Sequence, residues 1–178
     1  ACESCHGPAE EHVVTNGNPL RRYQLHRQAK GDPTIVNPAR LPSKVGSQVC
    51  GQCHAIKWIV DAQDFQANGF RYRPGGELKE TTPVIQPTHL ADQPWLTQPL
   101  EEKPNFLPEH YWPDGLVRVS GRDYNGLIDS PCYKRGELSC LSCHSMHQSS
   151  PTNQLTAGME SNQACLQCHG DFRAKLTQ

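Results

Sequence analysis

The clearest run of helix-spaced hydrophobic positions lies in residues 54–68. The apolar side chains that set the spacing are Trp58, Ala62 and Phe65. Separations of four and then three positions are typical of an amphipathic helix. The pair Asn68–Gly69 follows, and such a pair commonly ends a helix because both residues tolerate a left-handed backbone. The pattern therefore predicts one conventional helix over residues 54–68.

Elsewhere the pattern of hydrophobic and polar positions predicts only short elements. Residues 23–30 favour one or two helical turns, and Ser161–Gln163 is typical of a helix start. Residues 70–79 place aromatic and charged residues around Pro-Gly-Gly, which predicts a small hairpin. Residues 116–120 predict one short strand. We therefore expect a mainly helical fold with much irregular structure and few short β-hairpins.

Proline is concentrated in residues 70–131, which hold nine of the fifteen prolines. Proline fixes φ and removes a backbone donor, so this stretch disfavours long regular elements. A connection of this length in a compact domain usually has a function or wraps another feature. We interpret residues 70–131 as a wrapping insertion within a single domain that covers residues 1–178. A separate structural insertion is the alternative.

Composition narrows the class of protein. The apolar share is 35%, and adding the 14 glycines leaves it slightly below the ordinary range, which is roughly 45–50% with glycine included. The net charge is −1, with no basic patch for nucleic acid and no acidic tail. No apolar run reaches the ~18 residues of a membrane span, and the N-terminus shows no signal peptide. A conventional core would be thin, so we expect another apolar group to supply part of it.

Cysteine and histidine form one pattern, C-x-x-C-H, that occurs four times. This pattern is the attachment site of c-type haem. Cysteines three positions apart lie on one side of a helical turn, so each sulfur can form a thioether with one vinyl group of a single porphyrin. The histidine that follows is placed under the iron as the proximal ligand. The thioether cysteines are Cys2, Cys5, Cys50, Cys53, Cys140, Cys143, Cys165 and Cys168, and the proximal histidines are His6, His54, His144 and His169.

Four copies predict four covalently bound haem c groups and a small multihaem cytochrome c fold organised around them. Zinc binding by the cysteine pairs is an alternative, but structural zinc does not require a histidine directly after every second cysteine. A thioredoxin-like role lacks the βαβ pattern that it needs. Covalent haem attachment occurs outside the prokaryotic cytoplasm, so we expect a periplasmic or extracellular protein. Because the first motif begins at residue 2, we expect a processed chain or a fragment.

The ninth cysteine, Cys132, lies outside the four motifs. Three roles are open for it: a buried thiol that packs beside the third haem, a partner in an intermolecular disulfide, or a thiolate ligand.

Two histidine patterns extend the haem motifs. Residues 5–12 read C-H-G-P-A-E-E-H, and His147 turns the third motif into C-x-x-C-H-x-x-H. Both resemble multihaem cytochromes similar to the c-554 type and the related octahaem enzymes, although Ala9 replaces the usual glycine. The resemblance implies that His12 and His147 are distal ligands, usually to a different haem. The family normally has another haem motif upstream of this one, and none is present here, so we expect that His12 has either lost its haem or serves one from elsewhere.

The supply of histidine exceeds the number of distal ligands that four irons need. Of nine histidines, four are proximal, and the others are His12, His26, His89, His110 and His147. Four of these would close every iron with two histidines and keep it low-spin. Such irons have no open position for a substrate, which suits electron transfer.

These features predict an electron carrier rather than an enzyme. Electrons would pass between closely packed haems and exchange with redox partner proteins in weak, transient contacts at exposed haem edges. Two alternatives stay open. An iron without a distal histidine would make an enzyme that acts on a small nitrogen compound, as the related octahaem enzymes imply. A histidine shared with the next copy of the chain would make the protein a subunit of a polymeric extracellular cytochrome filament.

Overall fold

The computed structural model describes residues 2–147 and 154–175, and these residues are mainly helical or irregular. The α-helices are α1 (Cys2–His6), α2 (Glu10–Asn16), α3 (Pro19–Arg27), α4 (Ser43–His54), α5 (Ala62–Asn68), α6 (Leu78–Thr81), α7 (Thr97–Glu102), α8 (Phe106–His110), α9 (Asp123–Asp129), α10 (Pro131–Arg135) and α11 (Gln163–Leu166). Short 3-10 turns span Pro38–Arg40, Pro87–Asp92, Pro94–Leu96, Cys140–Ser142 and Gly170–Lys175. The predicted mainly helical, irregular fold is confirmed.

Strand structure is almost absent from the described ranges, which contain only three isolated β-bridges. In the same ranges, no helix combines the length and the apolar character that crossing a bilayer requires.

The helix predicted over residues 54–68 is wrong in its first half. Helix α4 ends at His54, and α5 begins only at Ala62. The backbone between them is extended, and the carbonyl of Ile56 accepts a hydrogen bond at 2.9 Å from the N–H of Ile85. A β-branched residue such as Ile56 suits extended backbone. The partner that fixes this conformation lies far away in the sequence, so a local periodicity could not reveal it.

The hairpin predicted over residues 70–79 is also wrong, because helix α6 begins at Leu78. Leu78 is 2% exposed, and its backbone N–H donates to Oε1 of Gln48 in α4 at 2.6 Å. Contact with α4 therefore holds this segment, not strand pairing. The strand predicted over residues 116–120 is reduced to one isolated bridge at Val117.

The core consists of two hydrophobic clusters that are joined by Asn125. The first contains Ala55, Tyr72, Leu78 and Tyr124, and the second contains Ile56, Ile85, Leu96 and Tyr111. Asn125 is 3% exposed. Its Oδ1 accepts from the N–H of Ile56 at 2.7 Å, and its Nδ2 donates to the carbonyl of Ile85 at 2.7 Å. Nδ2 also donates to the Tyr111 hydroxyl at 3.0 Å. One buried amide thus ties the segment after α4 to the proline-rich segment.

Candidate functional site

Each of the four C-x-x-C-H motifs forms a helical turn. The first motif is helix α1, and the second forms the last turn of α4. In the third, the N–H of His144 donates to the carbonyl of Cys140 at 3.0 Å. In the fourth, the N–H of His169 donates to the carbonyl of Cys165 at 2.9 Å. This closure places both cysteines of a motif on one side of the turn. None of the nine cysteines, all of which lie within the described residues, forms a disulfide.

The first three motifs converge on α4, although they are distant in sequence. Gln52, inside the second motif, donates through Nε2 to the carbonyl of Ser4, inside the first. The N–H of Cys140, which begins the third motif, donates to Oγ of Ser47 in α4 at 3.2 Å. A hydrogen bond with the Cys140 sulfur, together with burial, raises the pKa of the Cys50 thiol. Three predicted attachment points therefore lie side by side around one helix.

Further contacts complete this cluster of motifs. Burial, and then the nearby Cys53 thiol, raise the pKa of Cys5, which places the first motif beside the second. The N–H of Thr156, ahead of the fourth motif, donates to the carbonyl of Cys143 at 2.8 Å. Nε2 of Gln167, inside the fourth motif, lies 3.9 Å from the sulfur of Cys143. The fourth motif therefore touches the third.

His6, a predicted proximal ligand, has a ring whose orientation is fixed by a backbone contact. Its Nδ1 lies 2.7 Å from the carbonyl oxygen of Val36. A carbonyl only accepts, so Nδ1 carries the proton and the lone pair of Nε2 is left for a metal. The other three proximal candidates, His54, His144 and His169, have exposed side chains. The donor atoms are therefore accessible where the motifs require them.

Two cationic side chains flank the second motif. Lys57 donates through Nζ to the carbonyl of Gln52, and Nη1 of Arg122 donates to the carbonyl of Cys53 at 3.1 Å. Burial lowers the pKa of the Lys57 ammonium. These cations would partly neutralise the negative charge of a haem propionate at this motif.

Two of the candidate distal histidines have a fixed ring nitrogen. Nδ1 of His12 lies 3.2 Å from the Asp32 carboxylate. Nδ1 of His110 lies 2.8 Å from the carbonyl oxygen of Phe106, and the two rings stack at 4.4 Å. In both histidines Nδ1 faces an acceptor, and Nε2 has no hydrogen-bond partner within the described chain. Both could present Nε2 to an iron.

Two other candidates lie close to residues of the first motif or of its flank. The ring of His147 lies 5.8 Å from the ring of His6, with the two planes only 14° apart. His26, in the last turn of α3, is exposed and lines the same cavity as His12. The structure therefore places His147 beside the first motif, and His12 and His26 together at one cavity.

His89 differs from the other four candidates because both of its nitrogens face charged groups. Nε2 lies 3.4 Å from the Asp129 carboxylate and 3.3 Å from Nζ of Lys134. Nδ1 lies 3.7 Å from the Asp92 carboxylate. These contacts tie His89 into a surface ion-pair network.

The residues present fit covalently bound haem. Every motif cysteine is at least partly accessible, and every motif has its histidine at the end of the turn. Large hydrophobic side chains are exposed on α2 and α3, directly after the first motif: Val13, Val14, Leu20 and Tyr23. The buried Tyr72 hydroxyl, in the cluster that packs on Cys140, lacks a hydrogen-bond partner within the described ranges. A porphyrin would cover such apolar surface, and a propionate could accept from such a hydroxyl.

Cys132 is an exposed free thiol in the first turn of α10. Protein side chains therefore do not bury it, and its packing beside the third haem stays a prediction. Helix α10 presents Tyr133 to the core instead, and Tyr133 is 9% exposed.

Sequence reasoning missed the groups that orient the imidazoles. The carbonyl of Val36 and the carboxylate of Asp32 act on His6 and His12 across long loops, so no local pattern reveals them. His89 did carry a usable signal, because Asp92 follows it at the three-residue spacing of a helical ion pair.

Comparison with known proteins gives one family match. Residues 132–174 match the family described as Doubled CXXCH motif (Paired_CXXCH_1), and they contain the third and fourth motifs. No curated protein and no solved structure matches the chain. The matched motifs indicate covalent binding of c-type haem and support a multihaem c-type cytochrome.

Proposed function

We propose that this chain transfers electrons through four covalently bound c-type haems, each ligated by two histidines. The observation that carries the proposal is the packing of the C-x-x-C-H turns against one another. The first and third turns contact α4, whose last turn is the second motif, and the fourth turn contacts the third. A bound haem supplies an iron that accepts and releases one electron. The residues of the chain hold these irons near one another and close their coordination.

Four of the five remaining histidines are proposed as distal ligands, and His89 is the one left out. The proposed ligands are His12, His26, His110 and His147. Both nitrogens of His89 already face other side chains: Nδ1 faces Asp92, and Nε2 faces Asp129 and Lys134, so neither is left for an iron. Without His89, the supply of distal histidines equals the number that four six-coordinate irons need.

His147 is proposed to serve the haem of the first motif. Its ring is almost parallel to the ring of His6, which is the proximal ligand of that motif. A ligand from the third motif would then close an iron held by the first motif. Cross-ligation of this kind would make the motifs depend on one another.

Two alternative functions remain proposals beside the carrier. An iron that lacks its distal histidine would bind a small nitrogen compound and make the protein an enzyme. His26 is exposed at the end of α3, so it could instead ligate a haem of a second copy in a polymer. We place the protein in the periplasm or outside the cell, where covalent haem attachment occurs, with redox proteins as its partners.

The proposal is tested with the haem-loaded full chain by counting covalent haems and recording ferric and ferrous absorption spectra. We expect four haems and only low-spin bands. His110→Ala should open one iron, which then shows a high-spin band that shifts when cyanide is added. His89→Ala is the matched control and should leave every iron low-spin.

Each outcome separates the possibilities. A cyanide-sensitive high-spin band in the unmodified protein would favour the enzyme. Loss of low-spin character on dilution would favour ligation between copies. Fewer than four haems would overturn the count, and the absence of a Soret band would overturn haem binding altogether.

A further inference from the structure

The Asp32 carboxylate is held by a set of donors from three parts of the chain. Its Oδ1 accepts from the N–H of Thr34 at 3.0 Å, from the Thr34 hydroxyl at 2.6 Å, and from Nη2 of Arg21 at 3.0 Å. Its Oδ2 accepts from the side-chain amide of Asn16. The side chain is 12% exposed. The position of Asp32 is therefore fixed, and Oδ2 lies 3.2 Å from Nδ1 of His12.

The hydrogen bonds of Asn16 identify the donor and the acceptor in the contact between His12 and Asp32. Nδ2 of Asn16 has two hydrogens. One is donated to the backbone carbonyl of His12 at 2.9 Å, and the other to Asp32 Oδ2. Asn16 therefore has no hydrogen left for Nδ1 of His12. Nδ1 instead faces a carboxylate that only accepts, so Nδ1 carries the proton and Nε2 carries the lone pair.

The space beside His12 suits the anionic edge of a porphyrin, because most of the residues that line it are polar or charged. A cavity of about 420 Å³ opens there, and its wall includes Arg22, Lys30 and Arg40. Within the described chain, none of these three cations makes an ion pair. Each haem brings two propionates, which such cations would neutralise. The cavity thus brings His12 and three cations without an ion pair in the described chain to the same place.

We propose that Asp32 is a positioning residue for His12: it fixes the tautomer of the ring and directs Nε2 as a distal ligand toward a haem iron at the basic cavity. This inference rests on the proposed haem function. A carboxylate that accepts from Nδ1–H makes the imidazole a stronger donor, and such partners of ligating histidines contribute about 10–100-fold to metal affinity. A stronger donor stabilises the ferric state, so Asp32 lowers the reduction potential of the iron that His12 ligates.

The test compares haem-loaded full-length variants by cyanide titration, low-temperature electron paramagnetic resonance and potentiometry. Asp32→Asn keeps the size of the side chain but removes its charge. One iron should then take up cyanide at a concentration about 10–100-fold lower than in the unmodified protein. The potential of that iron should rise while its low-spin signal changes. Asp32→Glu restores the carboxylate and should recover most of the original behaviour.

Asp64→Asn is the matched control, because Asp64 also pairs with an arginine, Arg71, but touches no histidine. It should leave cyanide uptake and all potentials unchanged. If Asp32→Asn behaves like Asp64→Asn, Asp32 does not act on the iron and the inference is wrong.

His12→Ala separates failure of the inference from failure of the proposed function. It should create one high-spin iron. If every iron stays low-spin in His12→Ala, His12 is not a ligand, and the inference fails while the electron carrier stands. If the unmodified chain carries no covalent haem, the inference and the proposed function fail together.

Discussion

The centre of the molecule and its two ends are built differently. All ten buried hydrophobic side chains of the described chain lie between Val49 and Tyr133. In residues 2–40, Gly7 is the only buried residue. Residues 134–173, where the structure describes them, contain no buried residue. The centre therefore has a protein core, whereas the ends do not.

The C-x-x-C-H motifs are also distributed unevenly between the centre and the ends. Three of the four C-x-x-C-H motifs lie in the ends, and only Cys50–His54 lies in the centre. Fully burying one large aliphatic side chain contributes about 1.5–3 kcal/mol, so the centre can be stable through its own side chains. The ends lack this contribution and expose Val13, Val14, Leu20 and Tyr23 on α2 and α3. We infer that the ends depend on haem for their packing more than the centre does.

The largest expected effect comes from removing the haem that we propose for one end. In the double variant Cys2→Ser and Cys5→Ser, α2 and α3 should lose their protection against hydrogen exchange, with opening free energies near zero. Helices α4 and α9 should keep their protection, because the two buried clusters of the centre do not require the first haem. Hydrogen exchange followed by mass spectrometry measures both regions in one experiment.

The corresponding double variant of the fourth motif, Cys165→Ser and Cys168→Ser, serves as the control at the other end. It should remove protection from residues 154–173 and leave α2, α3 and the centre as they are. Equal loss of protection in α9 and α2 after either change would contradict the division into a self-supporting centre and haem-dependent ends.

A smaller effect is expected when the same change is made in the two regions, Asn125→Ala in the centre and Asn18→Ala in an end. Asn125→Ala leaves the buried N–H of Ile56 without its acceptor and should lower the free energy of unfolding by about 3 kcal/mol. Asn18 only caps α3, where its side chain accepts from the N–H of Leu20 at 2.9 Å. Its loss should cost about 1 kcal/mol, confined to the opening of α3.

Chemical denaturation measures the global effect, and hydrogen exchange measures the local one. The comparison between the regions would be wrong if Asn18→Ala shifted the global unfolding midpoint as far as Asn125→Ala does.

The same comparison explains which features the sequence predicts. Haem attachment and the helical turns of the motifs follow from residues within five positions of one another, so a local pattern is sufficient. The helix predicted over residues 54–68 failed because Asn125 and Ile85 bind the backbone of Ile56 from far along the chain. The number of histidines is read directly from the sequence, but the ion-pair contacts of His89 depend on where the fold brings Asp129. The extended backbone at Ile56 and the contacts of His89 are set by non-local contacts, which a local sequence pattern does not reveal.

The smallest expected effect tests where the centre meets a motif. Gly51 lies between the cysteines of the second motif, and a Cβ at this position would meet the Tyr124 ring at 2.8 Å. Gly51→Ala should therefore push α4 away from α9 and lower the free energy of unfolding by about 1–3 kcal/mol. Gly126 of α9 is the matched control, because no atom lies within 4 Å of its added Cβ. Gly126→Ala should be stabilising by about 0.5–1 kcal/mol, since alanine favours a helix.

The low-spin signal of the haem proposed at the second motif gives the readout that links stability to the site. If α4 transmits core packing to its attached haem, Gly51→Ala should alter that signal and Gly126→Ala should not. If Gly51→Ala leaves both stability and signal unchanged, the second motif is not fixed by the core. The motif would then belong with the haem-dependent ends, and the boundary between the two regions would move into α4.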